Sequence, residues 1–275
     1  MSCTGKPLGM AIQHADAITR KEAYDSIKKK YLDPLLSRGR SEVSEISCDT
    51  TEFLKLMNTL KNKAKPNGGI RIYFAAYQLT GSAYNDDFVP KDMEDMLTLV
   101  FAPTDTHGTD ISDIGEFYII DQVSGGKGVL LKDKTVASGW VRNYQDNKLP
   151  VLTKRLGRSD TKSLWYNVDD FSEFIAEIEC QINTGIKISV IKISMAAFNT
   201  NETMLAKLPG STDSIFVGSQ LTLLFSPIEQ IISGEEVLLE MSAERTPKTV
   251  IEIDPSDYDT GIPIPPAGSG GSSLP

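Results

Sequence analysis

The chain has little of what several classes of protein depend on. It contains 2 histidines and 3 cysteines, and no Cys-x-x-Cys pair, so we expect no structural zinc site and no cofactor. Nowhere does it approach the 18 or so consecutive apolar residues of a membrane-spanning helix, which argues against membrane insertion. Its first residues also lack the apolar core of a secretory signal.

Positive charge is scarce as well. Lysine and arginine number 28 against 37 aspartates and glutamates, a formal net charge of −9, which disfavours sequence-independent binding to nucleic acid. The run Lys28–Lys30 is predicted to be a solvated helix face. Cys3, Cys48 and Cys180 lack regular spacing, so we expect three free thiols and a reducing, cytoplasmic location.

What the chain does have is an internal repeat. Gly39–Phe53 recurs as Gly157–Phe171 at an offset of 118 residues, and Leu97–Pro103 recurs as Leu221–Pro227 at an offset of 124. Between these blocks, Ile70 aligns with Ile186 at an offset of 116. Length changes confined to the segments between matched blocks are typical of divergent copies of one compact unit.

Two helices are predicted in each unit. The first begins in one unit at Thr19–Glu22, which has capping-box form, and ends near Pro34; its counterpart runs over 134–149 and ends at Pro150. The second helix carries an apolar stripe with helical spacing in both units. The stripe residues are Phe53, Leu56, Met57 and Leu60, matched by Phe171, Phe174, Ile175 and Ile178.

Strands follow these helices. Apolar residues alternate along 70–75 and 186–191, and further strands are expected at 97–103, 116–121, 129–132, 221–227, 237–241 and 249–253. We therefore predict an α+β fold of two tandem units, each with two helices on a small, mostly antiparallel sheet. The predicted divisions are 1–133, 134–253, and an extended or flexible Pro/Gly/Ser-rich tail at 254–275.

The strand Gly69–Phe74 (Gly-Ile-Arg-Ile-Tyr-Phe) and the later segment Leu97–Thr104, which ends in Phe-Ala-Pro-Thr, carry a family resemblance. Together with the preceding helices they resemble a group of small uncharacterised bacterial proteins, mostly from Bacteroidetes, that have a single such unit. The second copy departs from this pattern at Ser189–Val190 and Ile228. The resemblance implies a soluble bacterial protein and no particular activity.

One candidate binding surface comes from the predicted sheet. Arg71, Tyr73 and Tyr77 share the face directed away from the helices, and Lys187 repeats the charge of Arg71 in the other copy. Arginine and tyrosine are enriched where proteins bind partners. Two alternatives remain. Arg71 packs its stem across the sheet with a solvated head, or the two sheet faces meet and bury Tyr73, Ile191 and Ile193.

A candidate metal or catalytic loop follows the strand that ends at Pro103. Asp105, His107, Asp110 and Asp113 bring together three carboxylates and an imidazole. The spacing matches no standard motif, and a polar loop whose aspartates cap turns is the competing interpretation. The acidic cluster at 86–95 and the glycine-rich segment 124–128 are interpreted as a solvated loop and a hairpin turn.

No set of catalytic residue types recurs in both copies. The leading hypothesis is therefore a non-catalytic interaction or assembly protein with a protein partner or self-assembly, whose binding is carried by the loops 79–95 and 194–220. A metal-assisted hydrolase using the loop 105–113 is the alternative. An inhibitor of the immunity or antitoxin type, with a basic partner, is a further alternative suggested by the acidity.

Overall fold

The computed structural model describes residues 14–66, 68–78, 89, 91–105, 116–122, 124–157, 160–198, 200, 203–205, 214–216, 219–229 and 241–242. We refer to the described residues up to 133 as the first half and those from 134 as the second half.

The first half begins with a helix that changes its pitch. The α-helix α1 (His14–Ala23) passes into a π-helical turn (Tyr24–Lys29) and then into the short α2 (Lys30–Leu32). The remaining elements are β1 (Glu45–Asp49), α3 (Thr50–Lys63), β2 (Gly69–Ala76), β3 (Leu97–Pro103), β4 (Glu116–Ile120) and β5 (Val129–Asp133).

The second half repeats this opening. Helix α4 (Lys134–Asn143) passes through a π-helical turn (Tyr144–Lys148) into α5 (Leu149–Leu156). The remaining elements are β6 (Ser163–Asn167), α6 (Val168–Asn183), β7 (Ile188–Ala197), β8 (Thr203–Leu205), β9 (Ser214–Phe216), β10 (Leu221–Glu229) and β11 (Met241–Ser242).

Two antiparallel sheets and a small β8–β9 pair make the fold α+β, as predicted. The larger sheets do not follow the predicted division at residue 134. The five-stranded sheet has the order β5-β4-β3-β2-β6, and the four-stranded sheet has the order β1-β7-β10-β11. Each half thus contributes one edge strand, β1 or β6, to the sheet built mainly by the other half.

The two sheets have the same register. Ala76 pairs with Leu97, and Ala197 pairs with Leu221. Positions in β2 and β7 therefore correspond at an offset of 121 residues (197 − 76). The predicted offset of 116 is wrong for these strands. From the first residue of the helix to the paired alanine the chain advances 26 residues in the first half (76 − 50) and 29 in the second (197 − 168).

This register changes the predicted pairing of residues. Arg71 pairs with Ala102, and Lys192 occupies the corresponding position opposite Ser226. The counterpart of Arg71 is therefore Lys192, and Lys187 lies before β7 starts.

The inner faces of both sheets and the apolar stripes of α3 and α6 form one core. Phe225 lies at its centre, with ring centroids of Phe53, Tyr166, Phe171 and Phe174 between 5.6 and 6.2 Å away. Aromatic rings at such distances and steep angles interact favourably beyond their burial. The predicted stripes of both helices are thus confirmed as core, and they lie in the same core.

The outer face of each sheet is covered by the first helix of the opposite half. On the five-stranded sheet, Trp140 of α4 packs edge-on against Tyr77, with ring centroids 5.1 Å apart. On the four-stranded sheet, Ala17 of α1 packs among Ala196 and Leu224. Helix and edge strand are therefore both exchanged between the halves.

The segments Gly69–Phe74 and Leu97–Thr104 have structural roles at the contact with β6. Trp165 of β6 donates its indole N–H to Thr104 Oγ1 at 2.7 Å, and Gly69 N donates to the same oxygen at 3.0 Å. A Cβ on Gly69 would lie 2.3 Å from the Tyr166 carbonyl oxygen and 2.5 Å from the Trp165 indole. Glycine and threonine therefore allow β6 to approach β2 closely.

Two further expectations are tested by the structure. Cys180 is disulfide-bonded, so the prediction of three free thiols is wrong, and the cysteines no longer argue for a reducing compartment. Among the described helices, none has both the length and the apolarity needed to cross a bilayer.

Cys48 is free and buried, and burial raises the pKa of its thiol to about 12. Thiolate is the nucleophilic form, so this cysteine belongs to the core and not to a reactive site.

The predicted loop 194–220 is wrong in part, because residues 194–197 belong to β7 and the β8–β9 pair lies within it. Most of the loop 79–95 and the tail 254–275 lie outside the described residues. Strands β4 and β5 are confirmed at the predicted positions.

Gly69→Ala should destabilise the protein by about 2 to 3 kcal/mol, because the added methyl group meets backbone and indole atoms that pack from β6. Gly128→Ala is the matched control, since its Cβ would meet nothing closer than 4.0 Å. Urea denaturation followed by circular dichroism measures both. Equal stabilities for the two variants would contradict this account of the β2–β6 contact.

Candidate functional site

The two π-helical turns place a tyrosine and a lysine one turn apart in each half. Tyr24 donates its hydroxyl proton to the Val43 carbonyl at 2.7 Å, and Tyr144 donates to the Thr161 carbonyl at 2.9 Å. Single π-helical turns recur at functional sites because they reorient side chains within a helix. Here they turn a lysine toward the interior in both halves.

Each lysine meets a carboxylate of the other half. Lys28 forms an ion pair with Asp160, and both side chains have 0% exposure. Lys148 donates to Glu42 Oε2 at 2.5 Å, with exposures of 2% and 0%. We call these contacts the two cross-half ion pairs.

The second oxygen of each carboxylate binds the start of a central strand. Glu42 Oε1 accepts from Leu97 N at 2.6 Å, where β3 begins. Asp160 Oδ1 accepts from Leu221 N at 2.8 Å, where β10 begins. Because both oxygens of each carboxylate have donors, the free-energy cost of burying the charges is largely offset.

The chemistry of these sites favours structure over catalysis. Burial raises the pKa of Tyr24 well above its ordinary value, and the Glu42 carboxylate adds to this. The hydroxyl therefore stays protonated and donates to its carbonyl partner. An ammonium group that donates to a buried carboxylate has no lone pair for nucleophilic attack.

Asp33 holds the segment that carries Glu42. Its carboxylate accepts from Lys29 Nζ at 2.9 Å and from Glu42 N at 2.6 Å. Burial alone would raise the pKa of Asp33, but the hydrogen bonds from Glu42 N and Lys29 outweigh it and keep that pKa below its ordinary value.

The predicted binding face is covered. Arg71, Tyr73 and Tyr77 have exposures of 4%, 2% and 3%, and Tyr73 and Tyr77 pack in the cluster formed with α4. Arg71 donates weakly to Ser163 Oγ at 3.4 Å. Lys187 is exposed and lies outside this cluster, so the structure does not bring the four predicted residues together.

The alternative in which the helix-free faces of the two sheets meet is wrong, because α4 covers that face of the five-stranded sheet and the core contains the faces that pack with α3 and α6. Ile191 and Ile193 do lie in the shared core, but Tyr73 lies on the outer face. Ile70, Ile72 and Phe74 face the shared core instead.

The predicted metal loop lies mostly beyond what the structure describes. Asp105 follows β3, while His107, Asp110 and Asp113 are outside the described residues. Within the described parts of the chain, no group of three or more potential ligands could hold a metal ion.

Sequence reasoning missed the cross-half ion pairs. It assigned Lys28 to a solvated lysine run, whereas Lys28 is fully buried. A signal was present: Tyr-x-x-x-Lys occurs at Tyr24–Lys28 and again at Tyr144–Lys148. In each half an acidic residue also stands three positions after a glycine: Glu42 after Gly39, and Asp160 after Gly157.

Comparison with protein-family models, with curated proteins and with solved structures finds no match to this chain.

Lys148→Met should cost about 3 to 5 kcal/mol of folding free energy, because it leaves the Glu42 carboxylate buried without its cation. The matched control is Lys192→Met, which breaks the partly exposed pair between Lys192 and Glu45 and should cost at most about 1 kcal/mol. Chemical denaturation of both variants, and of Glu42→Gln alone and combined with Lys148→Met, gives the coupling energy. A Lys148→Met cost no larger than that of Lys192→Met would contradict the assignment.

Asp33 should make stability depend on pH in the acid range. Its pKa is lower in the folded than in the unfolded chain, so its contribution is complete above the ordinary aspartate pKa and is lost as pH falls through the lowered value. The stability difference between wild type and Asp33→Asn should therefore shrink from about pH 6 to pH 3. Thermal melts across this range measure it, with the exposed Asp146→Asn as control. A difference that stays constant with pH would count against this role.

Proposed function

We propose that the protein is a non-catalytic interaction or assembly protein whose internal duplication is folded as a pseudo-dimer within one chain. The first half corresponds to one subunit of a homodimer, and the second half corresponds to the other subunit. Helix and edge strand cross from each half to the other, as in exchanged homodimers.

The observation that carries this proposal is the reciprocity of the cross-half ion pairs. Lys28 reaches Asp160 while Lys148 reaches Glu42, and each carboxylate also binds the first residue of a central strand. Charged side chains at matching positions of both halves thus serve to join the halves. A catalytic set recurring in the same way has not been found among the described residues.

Smaller details support the duplication. Asp95 and Ser219 both have a φ of 62°, and their N–H groups donate to the Tyr77 and Phe198 carbonyls at 3.0 and 2.9 Å. Residues other than glycine rarely adopt this backbone conformation. The same rare conformation at equivalent positions of the two halves favours a common origin of the halves over coincidence.

The family resemblance is compatible with this view. A relative with a single unit could form the same arrangement as a dimer of two chains. This chain carries both units itself. The cytoplasmic location stays a prediction, and the partner is proposed to be protein or a second copy of the chain.

The proposal is tested by whether the protein is recovered in a stoichiometric complex. The full chain, tagged and expressed in its native host, should be recovered with itself or with a protein partner in a fixed ratio, measured by light scattering and quantitative mass spectrometry. The tag alone is the control. A monomer that recovers nothing across a range of concentrations would contradict the proposal.

The hydrolase alternative has a separate test. If residues 105–113 bind a catalytic metal, then Ca²⁺, Mg²⁺, Mn²⁺ or Zn²⁺ should raise the melting temperature of the wild type. His107→Ala should remove that shift. A metal-dependent shift lost in His107→Ala would favour the hydrolase over the assembly protein.

A further inference from the structure

A tyrosine ring between helices α2 and α5 lies close to two cations. The guanidinium carbon of Arg155 is 4.7 Å from the centre of the Tyr31 ring, and Nζ of Lys30 is 4.9 Å from it. The two positive charges are therefore no more than about 10 Å apart, which is about one screening length in 0.1 M salt. Lys30 belongs to the first half and Arg155 to the second. We call these three residues the Tyr31 cluster.

Both cations of the Tyr31 cluster are exposed. Of the ion pairs in the described parts of the chain, none includes Lys30 or Arg155. The nearest acidic residue along the chain, Asp33, already binds Lys29 Nζ and Glu42 N. A guanidinium group next to an aromatic ring keeps its N–H donors for an anion. An anion bound here would also relieve the repulsion between the two cations.

Apolar side chains adjoin the cluster. Leu35 follows Tyr31 by four residues, in the 3₁₀ turn (Asp33–Leu35) that continues α2, and Val151 precedes Arg155 by four residues on α5. This spacing places side chains next to each other along a helix. Leu35 is 40% exposed, which is unusual for a large apolar residue of this chain. The surface therefore suits a ligand that is both acidic and apolar.

The cluster is not repeated in the other half. At the offset of 120 residues that relates the two π-helical turns, the counterparts of Lys30, Tyr31 and Arg155 are Pro150, Val151 and Leu35. The two copies have thus diverged at the contact between α2 and α5, while the buried lysines of the neighbouring turns are the same in both.

One segment of the chain has the matching chemistry. Residues 251–259 read Ile-Glu-Ile-Asp-Pro-Ser-Asp-Tyr-Asp, and no lysine or arginine follows Lys248. The segment lies outside the described residues, the last of which is Ser242. Its carboxylates complement the two cations, and its isoleucines and tyrosine complement the apolar neighbours. A nucleic acid would be disfavoured by the net charge of −9.

We propose that the Tyr31 cluster binds residues 251–259 of its own chain. This inference goes beyond the proposed function, since it names a surface that the chain itself covers. The ten residues from Ser242 to Glu252 can span up to about 33 Å, against a radius of gyration of about 18 Å for a compact chain of this size. A tethered segment has an effective concentration on the order of millimolar, so even a weak contact is mostly formed within the chain.

The contact is tested in the full chain with a labelled synthetic peptide of residues 250–260, by fluorescence anisotropy at 50 mM salt. A full-length variant with a neutral tail leaves the cluster open and should bind the peptide. The wild type should bind it at least about fivefold more weakly, because its own tail competes. The neutral-tail variant carries Glu252→Gln, Asp254→Asn, Asp257→Asn and Asp259→Asn.

A second pair of substitutions locates the surface. Adding Lys30→Gln/Arg155→Gln to the neutral-tail variant should weaken peptide binding at least about fivefold, because both cations are lost. Adding Lys61→Gln/Lys65→Gln, at exposed sites on α3 and just after it, removes the same charge and should weaken binding by less than about twofold. Thermal melts check that these exposed substitutions leave the fold stable.

Four results would overturn the proposal. The neutral-tail variant does not bind the peptide; the wild type binds it as well as the neutral-tail variant does; or the two added pairs of substitutions have equal effects. The fourth is a wild type that dimerises in sedimentation velocity while the neutral-tail variant stays monomeric, since the tail would then bind a second copy. Recovery of a protein partner from the host is a separate measurement, so the proposed function can fail or hold independently.

Discussion

A buried ammonium group that finds its carboxylate only in the other half is the interaction on which the fold depends. Each half contains a buried lysine and a buried carboxylate, and both pair with the other half: Lys28 with Asp160, and Glu42 with Lys148. An unpaired buried charge costs several kcal/mol. Separating the halves would therefore leave each of these buried charges without the partner it has in the folded chain.

The ion pairs also tie the helices to the sheets. Because each carboxylate binds both the incoming lysine and the first N–H of β3 or β10, the position of the helix is linked to the start of a central strand. The tyrosines beside the lysines fix the connecting segments through Val43 and Thr161. The exchange of edge strands β1 and β6 then follows from where these segments lead. The contacts between the halves are thus polar and directional where β3 and β10 begin, and apolar in the shared core.

The helices and their buried faces could be predicted from the sequence, because Phe53 and Phe171 begin apolar stripes with the spacing of an α-helix. Strands β3, β4, β5 and β10 could also be predicted nearly at their observed bounds. Which sheet each element joins was not readable, because periodicity reports which residues are buried and not by what. The offset of 121 residues in β7 was missed for a related reason: apolar residues alternate along both 186–190 and 191–195, in opposite phase, so the pattern fits two registers.

The site was harder to predict than the fold. Arg71, Tyr73 and Tyr77 share a face, as expected, but the helix that covers this face comes from the other half, and nothing local to the strand indicates it. Lys28 looked like part of a solvated run because the π-helical turn, which rotates it inward, leaves no signature in a residue pattern that assumes a regular α-helix.

The exchanged edge strand has a consequence for synthesis on the ribosome. Strand β1 ends at Asp49 and the strand it pairs with begins at Ile188, so 138 residues (50–187) must be translated between them. At common translation rates this interval lasts roughly 10 to 30 s. The five-stranded sheet is complete once β6 has emerged, whereas the amino-terminal helix and strand wait for β7. The nascent chain thus carries its own first segment undocked through much of its synthesis, a period in which a chaperone would find it accessible.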